Sequence, residues 1–148
     1  MILSSLTGRK EMNDKVFVDT NIWVYAKING KDDLKHKMAI DFLSKLKERV
    51  YISTQIINEF FNILAKNKID NDKIIESIYQ ILDNVILSEV TFVIIERSWK
   101  LRDKYHYSVY DSIVLASAIE SDCTILYSED LHHNQLIENK LRIINPFR

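Results

Sequence analysis

Val16-Phe17-Val18-Asp19-Thr20-Asn21 is the stretch on which the reading of this chain turns. Three successive apolar residues without polar alternation mark a strand covered on both faces, the kind found in parallel sheets packed between helices. The run stops on an acid and two short polar residues, a pattern that favours caps and turns, and residues 22–26 then read as a short helix. Asp19 is thereby expected at the carboxyl end of a strand, the edge at which open α/β sheets bind their ligands.

Working outward, the same alternation continues to the end of the chain. Residues 33–46 carry Leu34, Met38, Phe42 and Leu46 at four-residue spacing, a helical stripe. Val50-Tyr51-Ile52 reads as a strand, followed by a cap at Ser53 or Thr54 and a helix reaching about Asn67. Residues 70–83 are helical, Val85-Ile86-Leu87 is a short strand, and residues 91–105 and 108–121 form two further helices. Thr124-Ile125-Leu126-Tyr127 is a strand, residues 130–137 are expected to be partly helical, and residues 141–144 make a last strand before Asn145-Pro146. Strands alternating with helices predict βαβ units, hence an α/β fold with a short, mainly parallel sheet between helical layers. Residues 1–14 lack periodicity and are expected to be a flexible tail ahead of one domain over residues 15–148. Met12, close before the first strand, fits a natural initiator, with residues 1–11 an upstream extension or a cloning remnant.

Composition narrows the chemistry. The chain has 148 residues, 47% apolar and 28% charged, an ordinary globular balance for one domain. Twenty basic and 21 acidic residues leave a formal charge of −1, so no overall basic field draws in nucleic acid. A polyanionic substrate must be gripped by a local patch or a bound cation. One cysteine, Cys123, excludes an internal disulfide framework and cysteine-based zinc sites, and it fits a reducing cytoplasm. Two glycines are too few for the glycine-rich phosphate loops. No stretch approaches the roughly 18 apolar residues of a membrane span, and the N-terminus carries no basic, long apolar leader.

Four acids stand out. Asp19 follows the first strand, though capping of the next helix also explains it. Ile56, Glu59, Phe60 and Ile63 share one helical stripe, which sets Glu59 on or beside an inward-facing surface where an unpaired carboxylate is costly. Asp111 completes the capping box Ser108-Val109-Tyr110-Asp111, yet it also shares an otherwise apolar stripe with Val114, Leu115 and Ala118. Asp130 follows the fourth strand and is expected in a first helical turn, where the helix dipole favours an acid. All four are expected at one edge of one sheet. Carboxylates about 5 Å apart repel by roughly 3 kcal/mol at an effective dielectric of about 20, which is large beside a domain stability of about 5–15 kcal/mol. A cation that offsets the repulsion accounts for such a gathering, and oxygen-only ligation favours Mg²⁺ or Mn²⁺ over zinc. The chemistry such an ion supports is phosphodiester hydrolysis.

Val16-Phe17-Val18-Asp19-Thr20-Asn21, Asn58-Glu59-Phe60, Tyr110-Asp111 and Tyr127-Ser128-Glu129-Asp130-Leu131 resemble, in order, the motifs of PIN domains, and most closely those of VapC-type toxins of toxin–antitoxin pairs. The likeness extends over residues 15–147. It implies a three-layer α/β/α sandwich and a metal-dependent endoribonuclease cleaving single-stranded or looped RNA. It further implies that Asp19, Glu59, Asp111 and Asp130 are catalytic ligands of one or two Mg²⁺ or Mn²⁺ ions, with Thr20, Asn21 and Ser128 orienting acids or bound waters. A cognate antitoxin protein is the implied partner, and a homodimer the expected assembly. Members of the family commonly have glycine where this chain has Asn134; asparagine tolerates left-handed backbone, so the change is expected to be harmless.

Other residues point less sharply. Arg97, Lys100 and Lys104 form one basic helical face and, with His106, are candidates for RNA contact; a solvated face is the alternative. His132 and His133, adjacent on the chain, are expected at the surface and not as a metal pair. Trp23, Tyr25 and Trp99 suit packing or base stacking, Ile57, Phe60 and Phe61 suit a dimer or antitoxin surface, and Cys123 suits apolar filling. The rival functional reading is a non-catalytic PIN-like module that binds RNA or protein. A phospho-acceptor domain is disfavoured because Asp19 stands without a second acid beside it and no lysine follows the last strand.

Overall fold

The protein is described here by a computed structural model covering residues 14–29 and 33–148. The expected tail and Met12 therefore lie, Asp14 apart, outside the described residues. Six strands and six helices occur among those described: β1 (Lys15–Val18), α1 (Thr20–Lys27), α2 (Asp33–Lys45), β2 (Arg49–Ser53), α3 (Thr54–Lys66), α4 (Asn71–Leu82), β3 (Ile86–Ser88), α5 (Phe92–Tyr105), α6 (Val109–Glu120), β4 (Ile125–Tyr127), β5 (Leu136–Ile137) and β6 (Leu141–Ile144).

The strands form one sheet in the order β3-β2-β1-β4-β6-β5, parallel except for β5. β1 is central, and Val16, Phe17 and Val18 are fully buried, as their unbroken apolar run requires. Its pleat sorts the core into two layers. Phe17, with Leu126 of β4, packs into the cluster built largely from α6, while Val18 and Tyr127 join the cluster with Ile22 of α1 and Ala39 of α2. Helices thus cover both faces of a mixed, mostly parallel sheet, the expected α/β/α sandwich. The chain moves outward from β1 through β2 to β3, then returns to the other side of β1 as β4, so the topological switch point lies between β1 and β4.

Local chemistry sets the boundaries. Ser53 Oγ accepts from Ile56 N at 3.3 Å to start α3, and Ser108 Oγ accepts from Asp111 N at 3.1 Å to start α6. Both glycines fall outside the described residues, and six other residues take positive φ instead: Lys68, His106, Asp122, Asn134, Glu138 and Asn139. Lys68 ends α3 in a Schellman motif, with Lys68 N on Ala65 O at 3.0 Å and Ile69 N on Leu64 O at 3.2 Å. Asp122 ends α6 in the same way. Asn134 adopts φ 70°, the left-handed geometry anticipated for it.

Three expectations change. Residues 130–137 are not helical: they form turns and then β5, which pairs with β6 through a tight turn over residues 138–140, with Glu138 and Asn139 at positive φ and Lys140 N donating to Ile137 O at 3.0 Å. Tertiary pairing to β6 overrides the weak local signal there. On α2, Leu34 is exposed at the helix start, and the stripe does its packing lower down, where the Phe42 ring meets Tyr127 at 4.6 Å. Phe60 belongs to the core beneath α3 and offers no surface to a partner.

A left-handed lysine carries a steric cost of about 1–2 kcal/mol that glycine avoids, partly offset by glycine's greater chain entropy. Lys68→Gly is therefore expected to stabilise the protein by roughly 0.5–1 kcal/mol and raise the thermal midpoint by about 2–4 °C. A circular-dichroism melt checks this, and an unchanged or lowered midpoint would contradict the cap assignment.

Candidate active site

Asp19 lies just past β1 and is the N-cap of α1. Its N–H donates to Tyr127 O at 3.0 Å, which ties the exit of β1 to the end of β4. Its side chain is only 6% exposed. Oδ1 accepts from Thr20 N at 2.8 Å and Oδ2 accepts from Ser128 Oγ at 2.8 Å. Burial drives its pKa up to about 6, helped by the Glu59 and Asp130 carboxylates and opposed by the two hydrogen bonds.

Glu59, half-buried on α3, is gripped from both sides. Thr20 Oγ1 donates to Oε2 at 2.7 Å, and Gln55 Nε2 donates to Oε1 at 2.7 Å. Gln55 Nε2 also donates to Tyr110 O at 3.2 Å, linking α3 to the first turn of α6. Asp111 sits in that turn, half-buried, its N–H held by Ser108. Asp130 lies on the rim beyond β4. Asn21 Nδ2 donates to its Oδ2 at 2.6 Å, and its N–H donates to Ser128 Oγ at 3.3 Å. Partial burial raises the Asp130 pKa, and the Asp111 and Glu59 charges add to it while Lys35 opposes. Lys35 is in turn ion-paired to Glu129, which also accepts from Tyr25 Oη at 2.7 Å.

The four acids come from the β1 exit, α3, α6 and the β4 exit; Glu59 and Asp130 lie within electrostatic reach of Asp19, and Asp111 and Glu59 within reach of Asp130, beside the switch point. Thr20, Asn21 and Ser128 each hold one or two of them. The helix-dipole account of Asp130 is replaced, because no helix begins there. Gln55 is the residue that sequence reasoning missed; its place one turn before Glu59 was the available signal.

The basic face lies elsewhere. Arg97 pairs with Glu120 at 3.0 Å, at the end of α6 about 13 Å along the helix from Asp111. Lys104 pairs with Glu138 at 2.7 Å, in the turn before β6 and so at the opposite edge of the sheet from the acids. Lys100 lines the same region as Arg97. His106 caps α5 in left-handed conformation, two residues before the Ser108 cap. His132 is exposed, while His133 Nδ1 accepts from Asn145 N at 2.9 Å. Trp23 donates to Val18 O at 3.1 Å within the core, and Cys123 is buried with its thiol pushed up to about 12 by burial, so it is inert.

The family model for the PIN domain matches residues 16–138. The chain belongs to the PIN domain family. Its fold is similar to VapC20 of Mycobacterium tuberculosis, described as a sarcin–ricin loop cleaving toxin, at 22% identity and TM-score 0.65 over 78% of this chain and 89% of that one. It is also similar to a chain of a toxin–antitoxin complex from Klebsiella pneumoniae, at 21% identity and TM-score 0.66 over 88% and 97% of the two chains. VapBC2 from Rickettsia felis, bound to a DNA fragment from its promoter, matches at 18% identity and TM-score 0.59 over 88% and 99%. No curated protein matches the sequence. No helix among the described residues of this PIN domain is long and apolar enough to cross a membrane.

Hard carboxylate oxygens, with nothing softer beside them, suit a hard divalent cation, and the raised Asp19 pKa is the electrostatic stress that a cation relieves. Among the described residues, however, no three His, Cys, Asp or Glu side chains stand close enough to hold one ion as they are. The Asp19, Glu59 and Asp130 carboxylates are instead held by hydroxyl and amide donors, which leave carboxylate lone pairs open.

Because folding raises the Asp19 pKa from 3.8 to about 6, its contribution to stability is complete below about pH 4 and is lost as pH rises through about 6, by up to roughly 3 kcal/mol. Asp19→Asn keeps an acceptor for Thr20 and removes the buried charge. Its thermal midpoint in EDTA is expected above that of the wild type at pH 7.5, with the gap closing towards pH 4. A gap independent of pH would mean that Asp19 carries no such strain.

Proposed function

We propose that this PIN domain is a Mg²⁺- or Mn²⁺-dependent endoribonuclease that hydrolyses phosphodiester bonds of single-stranded or looped RNA, acting in the cytoplasm as the toxin of a toxin–antitoxin pair. The observation that carries this reading is that acids from four separate elements gather beside the switch point, where the Glu59 and Asp130 charges help to raise the Asp19 pKa and the Asp111 and Glu59 charges help to raise that of Asp130. Family membership and likeness in fold to toxin structures support it.

Asp19, Glu59 and Asp111 would hold the metal, with Asp130 completing the acidic pocket. A bound divalent cation supplies charge neutralisation at the phosphate and a lowered pKa for an attacking water. The protein's own part is positional. Ser128 fixes one oxygen of Asp19 and the N–H of Asp130, and Thr20 uses its backbone on Asp19 and its hydroxyl on Glu59. Asn21 aims Asp130, and Gln55 aims Glu59 while anchoring the turn that bears Asp111. With Asp19, Glu59 and Asp130 pre-oriented, a ligand need not order those three side chains as it binds.

A cognate antitoxin and a homodimer complete the proposal. The exposed rings of Phe92 (64%) and Trp99 (55%), edge-to-face at 6.0 Å on α5, are apolar surface of the kind a second subunit covers. The non-catalytic alternative draws on one observation, that among the described residues no three acids are spaced to share an ion as they stand.

Wild-type protein is expected to cut unstructured RNA with Mg²⁺ or Mn²⁺ and to stop in EDTA, while Asp19→Asn and Asp111→Asn each lose roughly a thousandfold or more in rate, the scale of a lost electrostatic stabiliser. Gel analysis of labelled RNA reads the result. Binding without cleavage in either metal would select the non-catalytic module.

A further inference from the structure

A groove of about 870 Å³ runs along α3 beside the acid cluster, with Glu59 in its wall. That volume lies within the range of ligand sites, about 300–1,000 Å³. Its chemistry differs from that of the cluster. Along α3 it presents the side-chain amides of Asn58 and Asn62, both exposed and one turn apart, and the apolar surface of Phe61; Tyr110 of α6 also lines it. Tyr110 is 66% exposed, yet its backbone is fixed because its carbonyl accepts from Gln55, which itself lines the groove. Among the described residues lining it there is no lysine or arginine, and Glu59 is the charged group.

These features specify an occupant. Phosphate affinity in nucleic-acid sites comes from cations, which the described lining of the groove lacks, whereas unpaired bases are bound by stacking on aromatic rings and by hydrogen bonds to their edges. Side-chain amides, each carrying donor and acceptor, are suited to base edges. Glu59 belongs to both the cluster and the groove, so a chain whose scissile phosphate lies at the carboxylates has a neighbouring nucleotide at the groove mouth. We propose that this groove is a base-binding subsite: it takes an unpaired nucleobase adjacent to the scissile phosphate, stacked on Tyr110, with Asn58 and Asn62 reading its edge. The inference rests on the ribonuclease reading for the position of the phosphate, but base binding itself is measurable without cleavage.

The test is equilibrium binding of fluorescein-labelled single-stranded RNA oligonucleotides, each with one defined base in a constant context, to wild-type protein in EDTA. Tyr110→Ala is expected to weaken binding fivefold or more, and Tyr110→Phe to retain it. Asn58→Ala and Asn62→Ala are expected to reduce the ratio between the best and worst base by at least threefold with a smaller change for the best one. The same variants, given Mg²⁺ or Mn²⁺, are expected to shift the base preference at one position flanking the cut. Unchanged affinity in Tyr110→Ala together with unchanged preference in the asparagine variants overturns the subsite, even if wild-type protein cuts RNA normally. Absence of cleavage by wild type, with the groove variants still losing RNA affinity, removes the ribonuclease reading and leaves the subsite standing. If the variants lose affinity for an antitoxin peptide while RNA binding is untouched, the groove is a protein-docking surface and the proposal fails.

Discussion

The carboxylate of Asp19 is where the requirements of folding and of chemistry meet. It is buried at the junction of β1 and β4, and it stays there because the backbone of Thr20 and the hydroxyl of Ser128 each take one oxygen. That arrangement depends on strand register. Val18 lies opposite Tyr127 across the central parallel pair, so the next residue on each strand brings Asp19 and Ser128 together. A one-residue slip would displace Ser128 by about 3.3 Å and reverse the faces of Phe17 and Val18. The packing that fixes the register, with both residues fully buried in different layers, is therefore also what builds the site.

From that anchor the remaining acids are placed through short polar bridges. Thr20, 39 residues from Glu59 in sequence, connects that acid to Asp19; Ser128, 109 residues from Asp19, connects it to Asp130; and Gln55 carries the linkage from Glu59 to the start of α6. These donors satisfy carboxylates that would otherwise face one another, without cancelling their charge. The result is a negatively charged edge whose geometry is set by neutral side chains.

Much of this could be read before any coordinates. The apolar run at Val16–Val18 gave the central strand directly, and capping residues at Ser53 and Ser108 marked helix starts that the hydrogen bonds reproduce. The expectation that the acids share one sheet edge rested on topology for Asp19, Asp111 and Asp130, each beyond a strand end or in a helix start, and on an inward-facing helical stripe for Glu59. What escaped was non-local. β5 is two residues long, too short to display alternation, and its turn uses Glu138-Asn139 where a hairpin signal would call for glycine. Gln55 has no meaning until Glu59 and Tyr110 are both in place. Arg97 and Lys104 make a basic face on a helical wheel, but Glu120 and Glu138, distant in sequence, come to lie against them.

The sheet also ends abruptly on both sides. β3 contributes three residues at one border and β5 two at the other, and Ile86 and Leu87 are exposed on the former. Long, regular borders invite another chain to add a strand, whereas such abbreviated ones offer a newcomer only a few backbone hydrogen bonds. Newly synthesised copies crowded on a messenger can therefore complete a mostly parallel sheet, a slow-forming topology, with little opportunity to zip together into aggregates.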